Sequence, residues 1–171
     1  AVDAAKKAFK SWSNTPKQER SNILMKLADT IEEHFDELVK AESKDNGKPE
    51  TLAARVDIPR APANIRFFAS AILHDSSKLH EMDGSAINYT LRQPLGVAAC
   101  ISPWNLPLYL LTWKIAPALA SGNTVVAKPS EITPMTAYLL SKICIESGLP
   151  EGILNIVHGT GERTGDPLTT H

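Results

Sequence analysis

The stretch Gly96-Val97-Ala98-Ala99-Cys100-Ile101-Ser102-Pro103-Trp104-Asn105-Leu106-Pro107 decides the fold. Its first six residues are an apolar run without alternation, as a strand covered on both faces requires. Two prolines four apart then stiffen the chain around a tryptophan and an amide. The pattern repeats downstream. A helix is predicted from about Leu108 to Ala120, ended by Gly122, and Thr124-Val125-Val126-Ala127 reads as a second buried strand. Thr133-Pro134 opens another helix, Gly148-Leu149-Pro150 closes it, and Ile153-Leu154-Asn155-Ile156-Val157 is a third strand. The order β-α-β-α-β predicts an α/β fold with a Rossmann-like parallel sheet. Ligands bind such sheets at the carboxyl ends of the strands. The loops Ser102 to Pro107, Lys128 to Thr133 and His158 to Gly165 are therefore the candidate functional segments.

Upstream the chain reads as helix. Val2, Ala5, Ala8, Phe9 and Trp12 recur at helical spacing, with Lys6, Lys7 and Lys10 on a solvated face. Thr15-Pro16-Lys17-Gln18 predicts a helix start with a capping box. An apolar stripe through Ile23, Leu24, Leu27 and Ile31 continues over Phe35, Leu38, Val39 and Ala41 until Asn46-Gly47-Lys48-Pro49, where Gly47 suits a left-handed cap. A further helix, with Pro59 and Pro62 as kink points, runs through Ile65, Phe68 and Ile72, and Ile87 to Gln93 alternates like a half-exposed strand.

Composition excludes several classes. A length of 171 residues suits about one domain. Lys+Arg 18 against Asp+Glu 19 leaves no basic excess for a nucleic-acid footprint. Cys100 and Cys144 form no zinc-spacing pair and no secreted framework, which favours a reducing, cytoplasmic setting. The five histidines (His34, His74, His80, His158, His171) have no metal-ligand spacing, so no metal is expected. Between Arg92 and Lys128 only Lys114 is charged, but Pro94, Pro103, Pro107 and Pro117 punctuate the stretch and argue against a membrane span. Ala1-Val2-Asp3 opens directly on a charged helical pattern, so no signal peptide is expected, and the missing initiator Met points to a natural start elsewhere.

Taken singly, the loops allow two readings each. Asn105 can cap the following helix or present a rigid amide to a developing oxyanion. Lys128 and Glu131, three apart at a strand end, can grip ribose hydroxyls or form a surface ion pair of small worth. Trp113 can line a pocket or pack. The glycines of Gly159-Thr160-Gly161-Glu162-Arg163-Thr164-Gly165 are spaced G-x-G-x-x-x-G, one residue longer than the dinucleotide fingerprint. Cys100, inside a strand, reads as an inert small hydrophobe, and Cys144 reads the same way.

In order, however, these loops resemble the NAD(P)-dependent aldehyde dehydrogenase superfamily. The likeness rests on Ile101 to Pro107, Trp113-Lys114, Pro117 to Glu131, Pro150 to Val157 and Gly159-Thr160-Gly161, with Asp45 to Pro49 upstream. The tracts Asp57 to Arg60, Arg66 to Ser70 and Trp104 to Ala118 look closest to its 2-aminomuconic semialdehyde branch. The resemblance implies that Asn105 is the side-chain donor of the oxyanion hole, and that Ile101, Ser102, Pro103 and Trp104 line the cofactor channel. It implies that Lys128 and Glu131, with Ser130, hold the adenosine ribose, and that Gly161 and Gly165 admit the adenosine phosphate region. Leu106, Tyr109, Leu110 and Trp113 would wall the aldehyde tunnel. Residues 1–75 and 94–171 would form the helical and parallel-sheet parts of a cofactor-binding domain. Residues 76–93 would be strands of an oligomerisation arm, giving a homodimer or homotetramer.

Family chemistry has a cysteine thiolate attack an aldehyde, giving a thiohemiacetal. Hydride then passes to nicotinamide, leaving a thioester that water cleaves to the acid. A carboxylate at Glu131 would favour NAD over NADP by repelling a 2′-phosphate. Neither Cys100 nor Cys144 matches the nucleophile, and the general-base glutamate has no counterpart here. The resemblance thus implies an amino-terminal portion that is inactive alone. The alternative is a truncated, non-catalytic chain that binds nucleotide weakly or acts only in oligomerisation.

Overall fold

Three parallel strands carry the architecture in a computed structural model that describes residues 1–171: β3 (Val97–Ile101), β4 (Thr124–Lys128) and β5 (Leu154–Ile156), in the order β3-β4-β5. Val97 pairs with Thr124 and Ile101 with Lys128, while Val125 pairs with Leu154 and Ala127 with Ile156. Parallel neighbours require crossovers, supplied by α6 (Pro107–Ala120) and α7 (Met135–Glu146). The β-α-β-α-β reading holds. Central β4 is buried at all five positions.

β3 departs from expectation. Cys100 is buried, but Ala99 and Ile101 are exposed, so the strand is not covered on both faces. The core gathers on one side of the sheet, where Cys100, Val125 and Ala127 meet Leu108, Leu111, Ile115, Leu119, Leu140 and Ile143. The other side is crossed by α1 (Val2–Trp12), which packs most closely on β4. β3 lies at its margin, and Val97 and Ala99 border an open cleft with Val2, Phe9 and Leu168. An uninterrupted apolar run reports propensity, and only packing decides its cover.

The helical half shares that core through Leu24, Leu27 and Ile31 of α2 (Lys17–Glu33) and Ile65 of α5 (Arg60–Ala71). Each such leucine or isoleucine contributes about 1.5–3 kcal/mol by burial. The predicted capping box is absent: the Thr15 hydroxyl donates to the Ser11 carbonyl 3.1 Å away, and α2 begins without a side-chain cap. Nor does the apolar stripe form one helix. It breaks at His34, and α3 (Phe35–Asn46) follows. The His34 ring sits between Glu37 (3.0 Å) and Glu146 (2.9 Å), which raise its pKa, Glu37 most. Gly47 ends α3 at φ 77°, the left-handed cap expected.

Beyond a turn (α4, Glu50–Leu52) and a wide π turn (Ala53–Asp57) comes α5, then an antiparallel hairpin, β1 (Leu79–Met82) and β2 (Ala86–Tyr89). The half-exposed strand predicted over 87–93 instead ends at Tyr89, and both hairpin faces are exposed. Here the chain itself offers nothing to cover either face.

A buried charge cluster escaped the sequence reading. Glu42 (0% exposed) and Asp57 (1%) converge on Lys48, whose ammonium ion-pairs with Asp57 and lies 3.6 Å from Glu42. Burial pushes the Glu42 carboxyl up to about 7; Lys48 opposes the shift and Asp57 adds to it. A carboxyl whose folded pKa is raised favours the folded state below its unfolded pKa, near 4.5, and loses that contribution as pH rises through about 7. Glu42→Gln should therefore gain stability relative to wild type between pH 5 and pH 8, by on the order of 2–3 kcal/mol. Urea unfolding of both proteins at the two pH values measures it. A difference that does not change with pH would show that Glu42 is ionised throughout.

Candidate functional site

The first two candidate loops leave the same end of neighbouring strands. Parallel pairing of Ile101 with Lys128 forces this, and the Ser102 N–H donates to the Lys128 carbonyl 3.1 Å away. The third loop follows β5, and Val157 N–H donates to the Ala127 carbonyl at 2.8 Å. All three loops thus open onto the carboxyl edge of the sheet.

Lys128 is delivered there by the most buried strand. It is 3% exposed, and its ammonium donates to the Glu131 carboxylate at 3.0 Å and the Pro129 carbonyl at 3.2 Å. The surface-pair alternative fails for Lys128, although Glu131 is exposed. The Glu131 carboxyl pKa is lowered by its own backbone N–H first, then by Lys128, with the Gly161 N–H, 3.4 Å away, adding a little. Ser130 lies between them, its hydroxyl accepting from the Ile132 N–H at 3.3 Å.

The glycine loop closes over this pair. Gly159 needs its hydrogen: φ is 148°, and a Cβ there would meet Thr164 Oγ1 at 2.0 Å. Gly161 has open space where a side chain would project, while a Cβ at Gly165 would meet only the Lys128 side chain, at 3.8 Å. Thr160 caps the π turn Gly161–Gly165, accepting from the Arg163 N–H.

On the first loop, Ser102 is buried and its hydroxyl has no partner, whereas Ile101, Pro103, Trp104 and Asn105 are exposed. Asn105 does not cap α6, which starts from Leu106 without a side-chain cap. The first turns of α6 then carry Leu106, Tyr109, Leu110 and Trp113. Trp113, 49% exposed, makes edge contacts with Tyr109 and Phe68 at 6.1 and 5.9 Å between ring centroids. It packs and also fronts open space.

Three partners of this region were not read from sequence. Arg60 Nη1 donates to the Tyr109 hydroxyl at 3.1 Å, with its guanidinium 5.0 Å from that ring's centroid. Asn46 and Lys48 donate to the carbonyls of Trp104 (2.8 Å) and Asn105 (3.1 Å). Asn46-Gly47-Lys48-Pro49 was legible as a helix stop and as part of the family likeness, but not as a partner of this loop; a polar residue on each side of a left-handed glycine was the available signal. No three His, Cys, Asp or Glu side chains gather as metal ligands.

A parallel sheet with a lysine–carboxylate pair and a glycine turn at its carboxyl edge is an α/β nucleotide-binding architecture. The chain belongs to the aldehyde dehydrogenase family, whose model matches residues 1–171. It is 56% identical over 172 residues to 2-aminomuconic semialdehyde dehydrogenase of Bos taurus and 50% identical over 177 residues to 2-hydroxymuconic semialdehyde dehydrogenase of Pseudomonas sp. (strain CF600). All of this chain aligns in both, covering 35% and 36% of those proteins, so it spans about a third of the curated relatives it matches. Among solved structures, PnpE in complex with nicotinamide adenine dinucleotide superposes with a TM-score of 0.96 at 42% identity, over 99% of this chain and 35% of that one. The NAD+ complex of aldehyde dehydrogenase from Bacillus cereus gives 0.96 at 39% identity, with the same coverage. No helix is long and apolar enough to cross a membrane.

Proposed function

We propose that residues 1–171 are the amino-terminal, cofactor-binding portion of a longer cytoplasmic enzyme that oxidises an aldehyde to a carboxylic acid with NAD. The observation that carries the reading is the free amide-bearing loop after β3 beside the Lys128–Glu131 pair after β4. The donor set fits a dinucleotide. Lys128 offers a buried, oriented ammonium and Glu131 an ionised acceptor, suited to a ribose diol, while the space in front of Gly161 leaves room for a phosphate to approach backbone. NAD, when bound, supplies the hydride acceptor. Ile101, Ser102, Pro103 and Trp104 would flank its path, with Ser130 beside the ribose and Gly165 behind Lys128. Glu131, acceptor only when ionised, would bind the ribose 2′-hydroxyl and repel a 2′-phosphate.

Asn105 would hold the aldehyde oxygen as negative charge develops on it, a role for a side chain that no helix end claims. The attacking thiolate and the water-activating carboxylate would come from residues beyond these 171. Leu106, Tyr109, Leu110 and Trp113 would wall the substrate path. Arg60, against Tyr109, adds a cation to an otherwise apolar wall and suits an aldehyde that carries a carboxylate, in keeping with the muconic semialdehydes named for the relatives. Both faces of the hairpin leave Leu79, Met82, Ile87 and Tyr89 at least half exposed. That supports residues 76–93 as an arm pairing with another copy, in a dimer or tetramer.

The test is NADH formation by the full-length protein. A carboxylate-bearing semialdehyde should give at least 10-fold higher kcat/KM than a neutral aldehyde of similar length, and NAD should outperform NADP. No aldehyde-dependent reduction of either cofactor would end the proposal; equal use of NADP would end the role given to Glu131.

A further inference from the structure

Two residues on either side of Gly47 hold the backbone that carries Asn105. Asn46 Nδ2 donates to the Trp104 carbonyl at 2.8 Å, joined there by the Thr133 hydroxyl at 3.4 Å. Lys48 Nζ donates to the next carbonyl, that of Asn105, at 3.1 Å. The Trp104 carbonyl belongs to the peptide plane before the Asn105 Cα, and the Asn105 carbonyl to the plane after it. With both planes pinned, φ and ψ of Asn105 are set, and with them the direction in which its side chain leaves the loop. The turn is itself braced. Gly47 N–H donates to the Ser43 carbonyl at 2.9 Å, and the Ser43 hydroxyl to the Lys48 carbonyl at 2.6 Å.

Lys48 is more than a tether for loop backbone. Its ammonium is held from below by Glu42 of α3 and Asp57 of the π turn, both buried, and one Asp57 oxygen and both Glu42 oxygens lack hydrogen-bond partners. A neutral donor would have sufficed to bind one exposed carbonyl. A largely enclosed ammonium, ion-paired with Asp57 and 3.6 Å from Glu42, gives a stronger, charge-assisted hydrogen bond from a fixed point.

We propose that Asn46 and Lys48 are positioning residues that aim the Asn105 amide at the reacting aldehyde oxygen, with the Glu42–Asp57 pair fixing the Lys48 ammonium. The proposal rests on the oxyanion role given to Asn105. In this role each acts through the backbone on either side of Asn105.

The experiment uses the full-length protein with NAD and a turned-over aldehyde, and compares Lys48→Met, Asn46→Ala and Asn105→Ala, singly and with each of the first two combined with the third. Lys48→Met should lower kcat at least 10-fold and Asn46→Ala several-fold, with KM for NAD changed less than 3-fold, because the Lys128–Glu131 pair is untouched. Lys48→Arg should recover part of the loss. In the Asn105→Ala background both substitutions should cost nothing further, since no amide remains to aim. A general structural role would predict the same fold loss in either background and would overturn the proposal, as would wild-type kcat in both single variants. Asn46→Ala leaves the buried charges paired and so decides the matter even if Lys48→Met fails to fold. If Asn105→Ala itself keeps wild-type kcat, the oxyanion reading is what has failed.

Discussion

Asn105→Ala in the full-length protein is expected to lower kcat by about 10²- to 10³-fold, the usual cost of removing one donor to a developing oxyanion. The reason is local. The amide leads an exposed loop, caps no helix, and sits between two carbonyls held from α3 and the residues just after it. Its loss removes a donor without removing a helix cap. NAD affinity and the unfolding midpoint should therefore stay close to wild type while turnover collapses. Steady-state kinetics, cofactor titration and thermal unfolding separate these quantities. A kcat within threefold of wild type would remove Asn105 from the chemistry.

The second large effect concerns the 171-residue chain by itself. It is expected to form no NADH from any aldehyde, because neither of its thiols can serve as a nucleophile. The reactive species is the thiolate. Burial pushes Cys144 up to about 12, and burial also raises Cys100, with Lys114 pulling the other way. At neutral pH a thiol near 12 is ionised in only about one molecule in 10⁵. Both sulfurs are also enclosed, Cys100 under α6 and Cys144 within α7. Cys100→Ser and Cys144→Ser in the full-length protein should accordingly leave turnover within a few-fold of wild type. Aldehyde-dependent NADH formation by the isolated chain would contradict this account of where the nucleophile lies.

Much of the sheet could be read directly from residues. Apolar runs at 96–101, 124–127 and 153–157, separated by proline- and glycine-punctuated helices, leave little room for another order of elements. The loops at their ends were legible for the same reason, since strand polarity alone puts Lys128 and Asn105 at one edge. What could not be read depends on distance in sequence. Glu42, Lys48 and Asp57 look like solvated charges on a helix and its exit, because nothing nearby in the chain shows that α7 and the π turn close over them. Arg60 meets Tyr109 across 49 positions. Thr15 looked like a cap because its neighbours fit the pattern, yet its hydroxyl found the preceding helix first. Coverage of β3 was a question about α1, not about β3.

Gly47 gives the left-handed turn a reach that its place in the chain conceals. At φ 77° a β-carbon is strained wherever there is room for it, and here the space around is empty, so the cost of a substitution would be one of backbone shape alone. The residues on its two sides hold the front loop some 57 and 58 positions away. In a survey of random mutants, a damaged allele at this hinge would be scored as an active-site lesion, though it maps well away from Asn105 in the chain and changes none of the residues at the strand ends.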